Sequence, residues 1–231
     1  MRFLLLFLLA FMISPQIKAQ RNSIMFKTGY GSYRMKDMKE LQDSFMEGAI
    51  IPYKTTAAFP SFLTFELQYI IELNEDMAFG AQFGYESTGG RLHYGDFSGE
   101  SYVNQALDAF TFGFNTSEFI KKEQRYAIPI FVNIDAVFTK LEIESSLRLG
   151  NQEQSEQANF SSLGISFEPG VGYRRYFSWF VLGFDVGYEI NINDKLYFDE
   201  DNQAYLTGVD DNPLKAQWSG FRMKLGAGIR F

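Results

Sequence analysis

Histidine occurs once in the chain, at position 93, within the segment STGGRLHYGDFSGE (87–100). Asp96, Ser98 and Ser101 lie close by, so this stretch holds a base, a carboxylate to orient it and hydroxyls to activate, the residue types of nucleophilic hydrolysis. Arg91, His93, Tyr94 and Asp96 are also candidate ligand contacts. The competing reading is a glycine-turned segment whose polar groups pack at the rim of a scaffold. A second set is larger. Glu66, Glu72, Glu86, Asp135, Glu142, Glu144, Glu168, Asp185 and Glu189 fall on one strand face with Lys27, Arg148, Arg174, Arg222, Lys224 and Arg230. Paired carboxylates can do acid–base work, but enclosed charges persist only when compensated. The reading carried forward is a neutralising network centred on Lys27, Glu66, Glu86, Glu168, Arg174, Asp185, Arg222 and Lys224. A third set, DEDN (199–202) with Asp210, Asp211 and Asn212, offers hard oxygens for Ca²⁺. It lacks the D-x-[DN]-x-[DN]-G spacing and reads as a solvated acidic loop.

Composition removes whole classes of function. With no cysteine there is no disulfide scaffold, thiolate zinc site, Fe–S cluster or cysteine nucleophile. One histidine excludes metal sites built on several imidazoles, and no cofactor or resident metal is expected. A net charge of -7 and a pI near 4.9 argue against nucleic acid, whose phosphates need clustered Lys and Arg. Twenty-five Phe, 13 Tyr and 20 Gly are unusual for a soluble acidic domain and suit β-structure in contact with lipid.

The first 19 residues read as a leader. Met1 and Arg2 precede the apolar run FLLLFLLAFMI (3–13), and Ser14-Pro15 breaks it before Ala19. That run falls short of the ~20 residues of a spanning helix but suits a secretory signal. Cleavage after Ala19 assigns 1–19 to a signal peptide and 20–231 to one domain.

The elements that must position the charged groups are strands. Leu63, Phe65, Leu67, Tyr69, Ile71 and Leu73 alternate with Thr64, Glu66, Gln68, Ile70 and Glu72, a period of two with one apolar face. Asn74-Glu75-Asp76 then turns the chain into a second alternating run, a hairpin. The same pattern predicts eight strands at 23–34, 61–73, 77–88, 124–136, 140–150, 162–176, 180–191 and 217–231. Short connections (74–76, 137–139, 177–179) alternate with longer ones (35–60, 89–123, 151–161, 192–216). Such sorting puts short turns at one end of a barrel and long loops at the other, as in outer-membrane barrels. Glycines share a face with charges: Gly183, Asp185, Gly187 and Glu189 on one strand, Arg222, Lys224, Gly226 and Gly228 on another. Small residues make room for long ones inside a narrow eight-stranded interior, so the charged face points inward and the aromatic face meets lipid. Two aromatic girdles follow. Tyr30, Tyr85, Tyr126, Tyr188 and Phe221 lie toward the long loops, and Tyr176, Phe177, Trp179, Phe180 and Phe231 toward the short turns.

The last strand, FRMKLGAGIRF, ends on Phe231. With the leader, the alternating strands and the asymmetric loops, this resembles the bacterial outer-membrane β-barrel proteins, in size the OmpX- and OmpA-type and PorT-like barrels. The resemblance implies an all-β, eight-stranded, antiparallel up-and-down barrel in the outer membrane. It also implies recognition of Phe231 by the barrel-assembly machinery, and lipid as the main partner. The His-x-Ser spacing of lipid A deacylase barrels is absent, since Tyr94 and Gly95 follow His93. A structural or loop-mediated binding role is therefore expected, of a monomer with a plugged lumen and an extracellular or envelope protein as its partner. A lipid-modifying enzyme using His93 and a secretion or assembly component are the alternatives. Met35, Met38, Leu41 and Phe45 predict a short amphipathic helix across the barrel mouth. Phe110, Phe112 and Phe114 alternate as in a strand that extends beyond the membrane. Trimming residues 195–212 is expected to leave folding intact, because barrel closure does not use that loop.

Overall fold

The computed structural model describes residues 21–49, 52–97, 99–150, 152–201, 203–208 and 211–231; the leader, Ser98, Asn202 and Asp210 lie outside the described residues. The elements in order are β1 (Arg21–Gly31), α1 (Lys36–Gly48), β2 (Lys54–Ala58), β3 (Phe62–Glu72), β4 (Met77–Gly95), β5 (Gly99–Lys122), β6 (Tyr126–Leu149), β7 (Gln152–Tyr176), β8 (Phe180–Asn193), β9 (Tyr197–Phe198) and β10 (Gly220–Arg230). Eight of the strands form a closed antiparallel ring in the order β1-β3-β4-β5-β6-β7-β8-β10, and β10 pairs back onto β1. Closure leaves no free edge at membrane level. β2 adds outside the ring along β4, and β9 along β7.

The number of ring strands agrees with the sequence reading, but two assignments differ. The predicted strands 124–136 and 140–150 are one strand, β6, and the predicted loop 89–123 contains all of β5. The two differences cancel in the count. The expected turn at 137–139 lies in mid-strand, where Val137, Phe138 and Thr139 pair with Thr111, Phe110 and Ala109. Its origin is a change of phase. Ile130, Val132, Ile134 and Phe138 face outward on even positions, whereas the apolar residues beyond them, Leu141 and Ile143, face inward on odd ones.

All four long strands invert in this way at the same level. Tyr85, Phe110, Phe138 and Leu163 are aligned in register on the outer face. Beyond them the outer face turns polar with Ser87, Asp108, Lys140 and Ser161, while the inner face turns apolar with Leu92, Leu107, Leu141 and Phe160. An outer face must be apolar against lipid and polar against water, so the inversion marks the membrane boundary. On β6 the apolar side runs from Ile128 through Ile130, Val132, Ile134 and Ala136 to Phe138, about 33 Å of strand and ~25 Å of height at a 40° tilt, the thickness of an outer-membrane apolar band. Above it, β4 to β7 continue for roughly ten residues each, a four-stranded blade on the order of 30 Å long. Two short hairpin turns close it. One is at Asp96–Gly99, where Asp96 N–H donates to Gly99 O at 2.9 Å. The other is at Leu149–Gln152, where Gly150 takes φ 59°, a left-handed conformation that glycine adopts freely. The expected long loops 89–123 and 151–161 are thus largely strands.

The helix expected from Met35, Met38, Leu41 and Phe45 is α1, with Met38 and Leu41 buried. Its first turn is tied to the last connection, where Asp37 accepts from Lys215 N (3.1 Å) and Gln217 Nε2 (3.0 Å). Helix and connection cap the barrel with a second core. Met35, Met38, Phe59, Leu107, Leu141, Phe160, Leu196, Leu214, Ala216 and Trp218 pack together there. The segment 195–212 supplies no ring strand, yet it contributes Leu196 to this second core.

Candidate functional site

Inside the ring, the polar face of each strand meets its neighbours at the level of the lipid belt. Lys27 pairs with Glu66 (3.1 Å) and Asp185 (2.8 Å). Lys224 pairs with Glu66 (2.7 Å) and Glu168 (2.9 Å). Arg174 binds Asp185 through both guanidinium nitrogens, the Nη2 contact at 2.9 Å. Arg222 grips Glu86 bidentately (3.0 and 2.9 Å) and reaches Glu189 at 2.7 Å. It also donates to the carbonyls of Ser32 and Trp218. All these side chains are buried. Six strands contribute, so the set cross-braces the barrel. Each cation meets at least one carboxylate at hydrogen-bond distance, the condition under which enclosed charge is tolerated.

The eight residues expected to form this network are brought together, and Arg222 serves Glu86 and Glu189 while Glu66 is held by the two lysines. Glu72 closes the short-turn end against Arg230 (3.0 Å) and Lys122 (3.1 Å). Glu142, Glu144 and Arg148 were expected in the lumen and are not. Because β6 is continuous, the parity that turns Asp135 inward turns these three onto the outer face of the blade. There Arg148 pairs with Glu153, and Glu144 accepts from the Tyr102 hydroxyl.

Arg91, His93, Tyr94 and Asp96 sit near the tip of the β4–β5 hairpin, beyond the barrel rim, and they divide between two faces. Arg91 stacks over the Tyr102 ring at 5.4 Å, and His93 Nε2 lies 2.9 Å from Glu100 Oε1 on the outer face. Tyr94 donates to Asp96 at 2.6 Å, and Asp96 in turn accepts from Gly99 N–H at 3.2 Å, which stabilises the turn. The Asp96 carboxylate pushes the Tyr94 phenol above its ordinary pKa by holding its proton. Ser101 points to the inner face, where its hydroxyl meets Tyr53 and the Ser146 carbonyl. Ser101 and His93 are therefore on opposite faces, and no hydrolase arrangement forms among the described residues, which do not include Ser98. In the acidic loop, Asp201 accepts from Gln203 N–H at 2.9 Å, an ordinary turn contact. Tyr126, expected near the long loops, stands at the short-turn end beside Tyr173 and Arg175, because it starts β6 and does not end a loop. Phe231 lies at the same end and exchanges backbone hydrogen bonds with Asn22.

No family model and no curated protein sequence matches the chain. Solved structures do. The major outer membrane protein of Thermus thermophilus superposes with a TM-score of 0.54 at 11% identity, over 93% of this chain and 100% of that one. The attachment invasion locus protein Ail of Yersinia pestis gives a TM-score of 0.36 at 13% identity, over 93% and 99%. The chain has the fold of an outer-membrane β-barrel protein. The Thermus likeness carries that statement together with the closed ring and the inverted polarity, and at this identity it concerns the fold alone.

Several parts of the barrel interior escaped the sequence reading. Gln82 donates to Asp135 at 2.8 and 2.9 Å and accepts from Gln68 at 2.7 Å. Asn115 donates to Asn133, which donates to Glu168. Strand parity alone places Gln68 and Gln82 inward. Asn115 needed β5 to be recognised as a strand first. Trp218 Nε1 donates to Thr139 Oγ1 at 3.0 Å at the floor of the cap, a contact between residues far apart in sequence that no local pattern announces.

Proposed function

We propose that this protein is an outer-membrane anchor for a rigid extracellular binding surface, with a lumen closed to solutes. The observation that carries the reading is the blade. Strands β4 to β7 leave the lipid belt without interruption and hold two hairpin tips far from the bilayer, with Phe97 wholly exposed at one of them (104% relative exposure). Loops and tips held by a rigid scaffold are where binding groups collect. Closure of the lumen is supported by the ion-pair layer and by the apolar cap with Trp218 at its centre. In this reading the short-turn end faces the periplasm, Phe231 serves recognition by the assembly machinery, and the partner is an extracellular or envelope protein.

The absence of native cysteine gives a direct test. F97C should react with a membrane-impermeant maleimide on intact cells, and S178C in the β7–β8 turn should react only after the envelope is opened. The reverse pattern overturns the orientation. Folded protein in planar bilayers should give no discrete conductance steps, and steady channels would overturn the closed lumen. A photocrosslinking residue at Phe97 should capture a protein in cells that one at Ser178 does not. No tip-specific adduct would leave an anchor without a binding role.

A further inference from the structure

At the short-turn end the barrel opens into a cavity of about 770 Å³ lined by four arginines, Arg21, Arg125, Arg175 and Arg230, over a floor that includes Tyr176. They come from different elements: Arg21 from the start of β1, Arg125 from the β5–β6 turn, Arg175 from β7 and Arg230 from β10. The cavity therefore runs along one side of the mouth, over the consecutive strands β7, β8, β10 and β1, with β8 between the two pairs. The backbone holds the groups in place. Tyr176 N–H donates to Arg125 O at 2.8 Å, and Arg175 pairs with Tyr126 in the β6–β7 ladder. Arg230 is already engaged, bound to Glu72 and stacked on Tyr176 at 4.4 Å. For Arg21, Arg125 and Arg175 the described residues supply no carboxylate within ion-pair distance.

The barrel interior behaves differently. Elsewhere inside the barrel every arginine and lysine meets a carboxylate, and the nearby Lys121 and Lys122 meet Glu123 and Glu72. Three guanidiniums without a carboxylate partner around one concavity repel one another, and an anion bound between them relieves that repulsion beyond what solvent and salt screening do. Guanidinium presents a planar fork that matches phosphate oxygens bidentately. The wall includes Phe177, half exposed at the edge of the lipid belt, so the cavity is continuous with the inner boundary of the membrane.

We propose that this mouth is a phosphate-binding site, taking a phosphoryl group either from a lipid headgroup of the adjoining leaflet or from a free phosphate. Arg125 and Arg175 clamp the group, Arg21 closes on it from the other side of β8, and Arg230 forms a fixed cationic floor. Which compartment the site faces rests on the orientation proposed above. Binding itself does not, so failure of the F97C and S178C labelling pattern and failure of this site are separate results.

The test uses the folded full-length protein in a non-ionic detergent at low ionic strength, titrated with inorganic pyrophosphate by calorimetry. Saturable binding is expected, weakened roughly 10- to 100-fold in R125Q or R175Q, the loss of one charged hydrogen-bonding group. K36Q, which removes an exposed cation of α1, should bind as the parent does. Heat-shifted gel migration checks that each variant is folded. In a second arm, protein from vesicles of phosphatidylglycerol and phosphatidylcholine is analysed for retained lipid. Preferential retention of phosphatidylglycerol, lost in R175Q, supports the site with a lipid headgroup as the source. Pyrophosphate binding without lipid preference supports it with free phosphate as the source. Absence of both, or binding that R125Q and R175Q leave unchanged, overturns the proposal.

Discussion

Replacing Arg222 by methionine tests whether the interior charges act as one compensated set. The side chain is 0% exposed, and its removal strands Glu86 and Glu189 together with the carbonyls it serves on Ser32 and Trp218. Methionine retains much of the apolar stem, so the main loss is electrostatic. Breaking a buried ion pair from one side costs about 3–5 kcal/mol, and two stranded carboxylates place R222M at the upper end. Neutralising both in R222M/E86Q/E189Q removes the uncompensated charge, and this variant should return to within ~2 kcal/mol of the parent, as replaced buried pairs generally do. The measurement is urea unfolding in phospholipid vesicles, followed by tryptophan fluorescence. Trp218 reports on the region directly, being buried edge-on to Tyr33 at 5.0 Å. The reasoning is refuted by a single variant within ~1 kcal/mol of the parent, or by a triple variant no more stable than the single one.

The same unfolding assay reads three further predictions. L67R and L225R place a charge on the exposed apolar belt and should each cost about 2–4 kcal/mol near the midplane; tolerance of both would mean that the belt does not face lipid. D185N strands Arg174 and removes one of the two carboxylates of Lys27 and should cost about 3–5 kcal/mol, whereas D135N, whose carboxylate is held by the Gln82 amide alone, should cost less than ~1 kcal/mol; equal costs would refute the pairing. W218A empties the floor of the cap and should cost about 3–5 kcal/mol, followed through Trp179, the tryptophan that this variant retains. Excising 195–212, which removes Leu196, should also lower stability measurably, and an unchanged midpoint would show that the cap is independent of the barrel.

Where one face of a strand is uniform along its length, the sequence is legible. β3, β8 and β10 lie wholly at membrane level, their outer positions are apolar throughout, and their predicted ranges match to within a few residues. Reading failed on strands that pass from lipid into water. β5 carries Leu107 and Ala109 inward, then Phe110, Phe112 and Phe114 outward, so the apolar phase slips by one and a single-period reading sees a break. β6 slips in the same way, and there the break was read as a turn. The lumen charges on correctly phased strands fell where parity put them, and Glu142, Glu144 and Arg148 did not, because they lie beyond the slip. The arginine mouth was not legible at all. It is assembled from residues widely separated in the chain, and only ring closure brings them together.

The phase slip also explains why barrel and blade behave as one body. On β4 to β7 the lipid boundary stands at one level, through Tyr85, Phe110, Phe138 and Leu163. A slip of one residue between neighbours would exchange the faces of a whole strand. A slip of two would preserve the faces but carry Asp108 or Lys140 into the belt, at about 2–4 kcal/mol for a basic residue near the midplane and less toward the interface. Register is thus fixed twice, by lipid below the boundary and by the apolar inner face above it. The exposed edges of the blade are handled separately. β2 covers the β4 edge over Gly90–His93, and β9 covers the β7 edge at Phe160 and Ser161. Beyond β9 the β7 edge carries Glu153 and Glu156, charges that discourage pairing with another sheet. What remains open to contact is then the pair of hairpin tips, which is the geometry a surface-binding role requires.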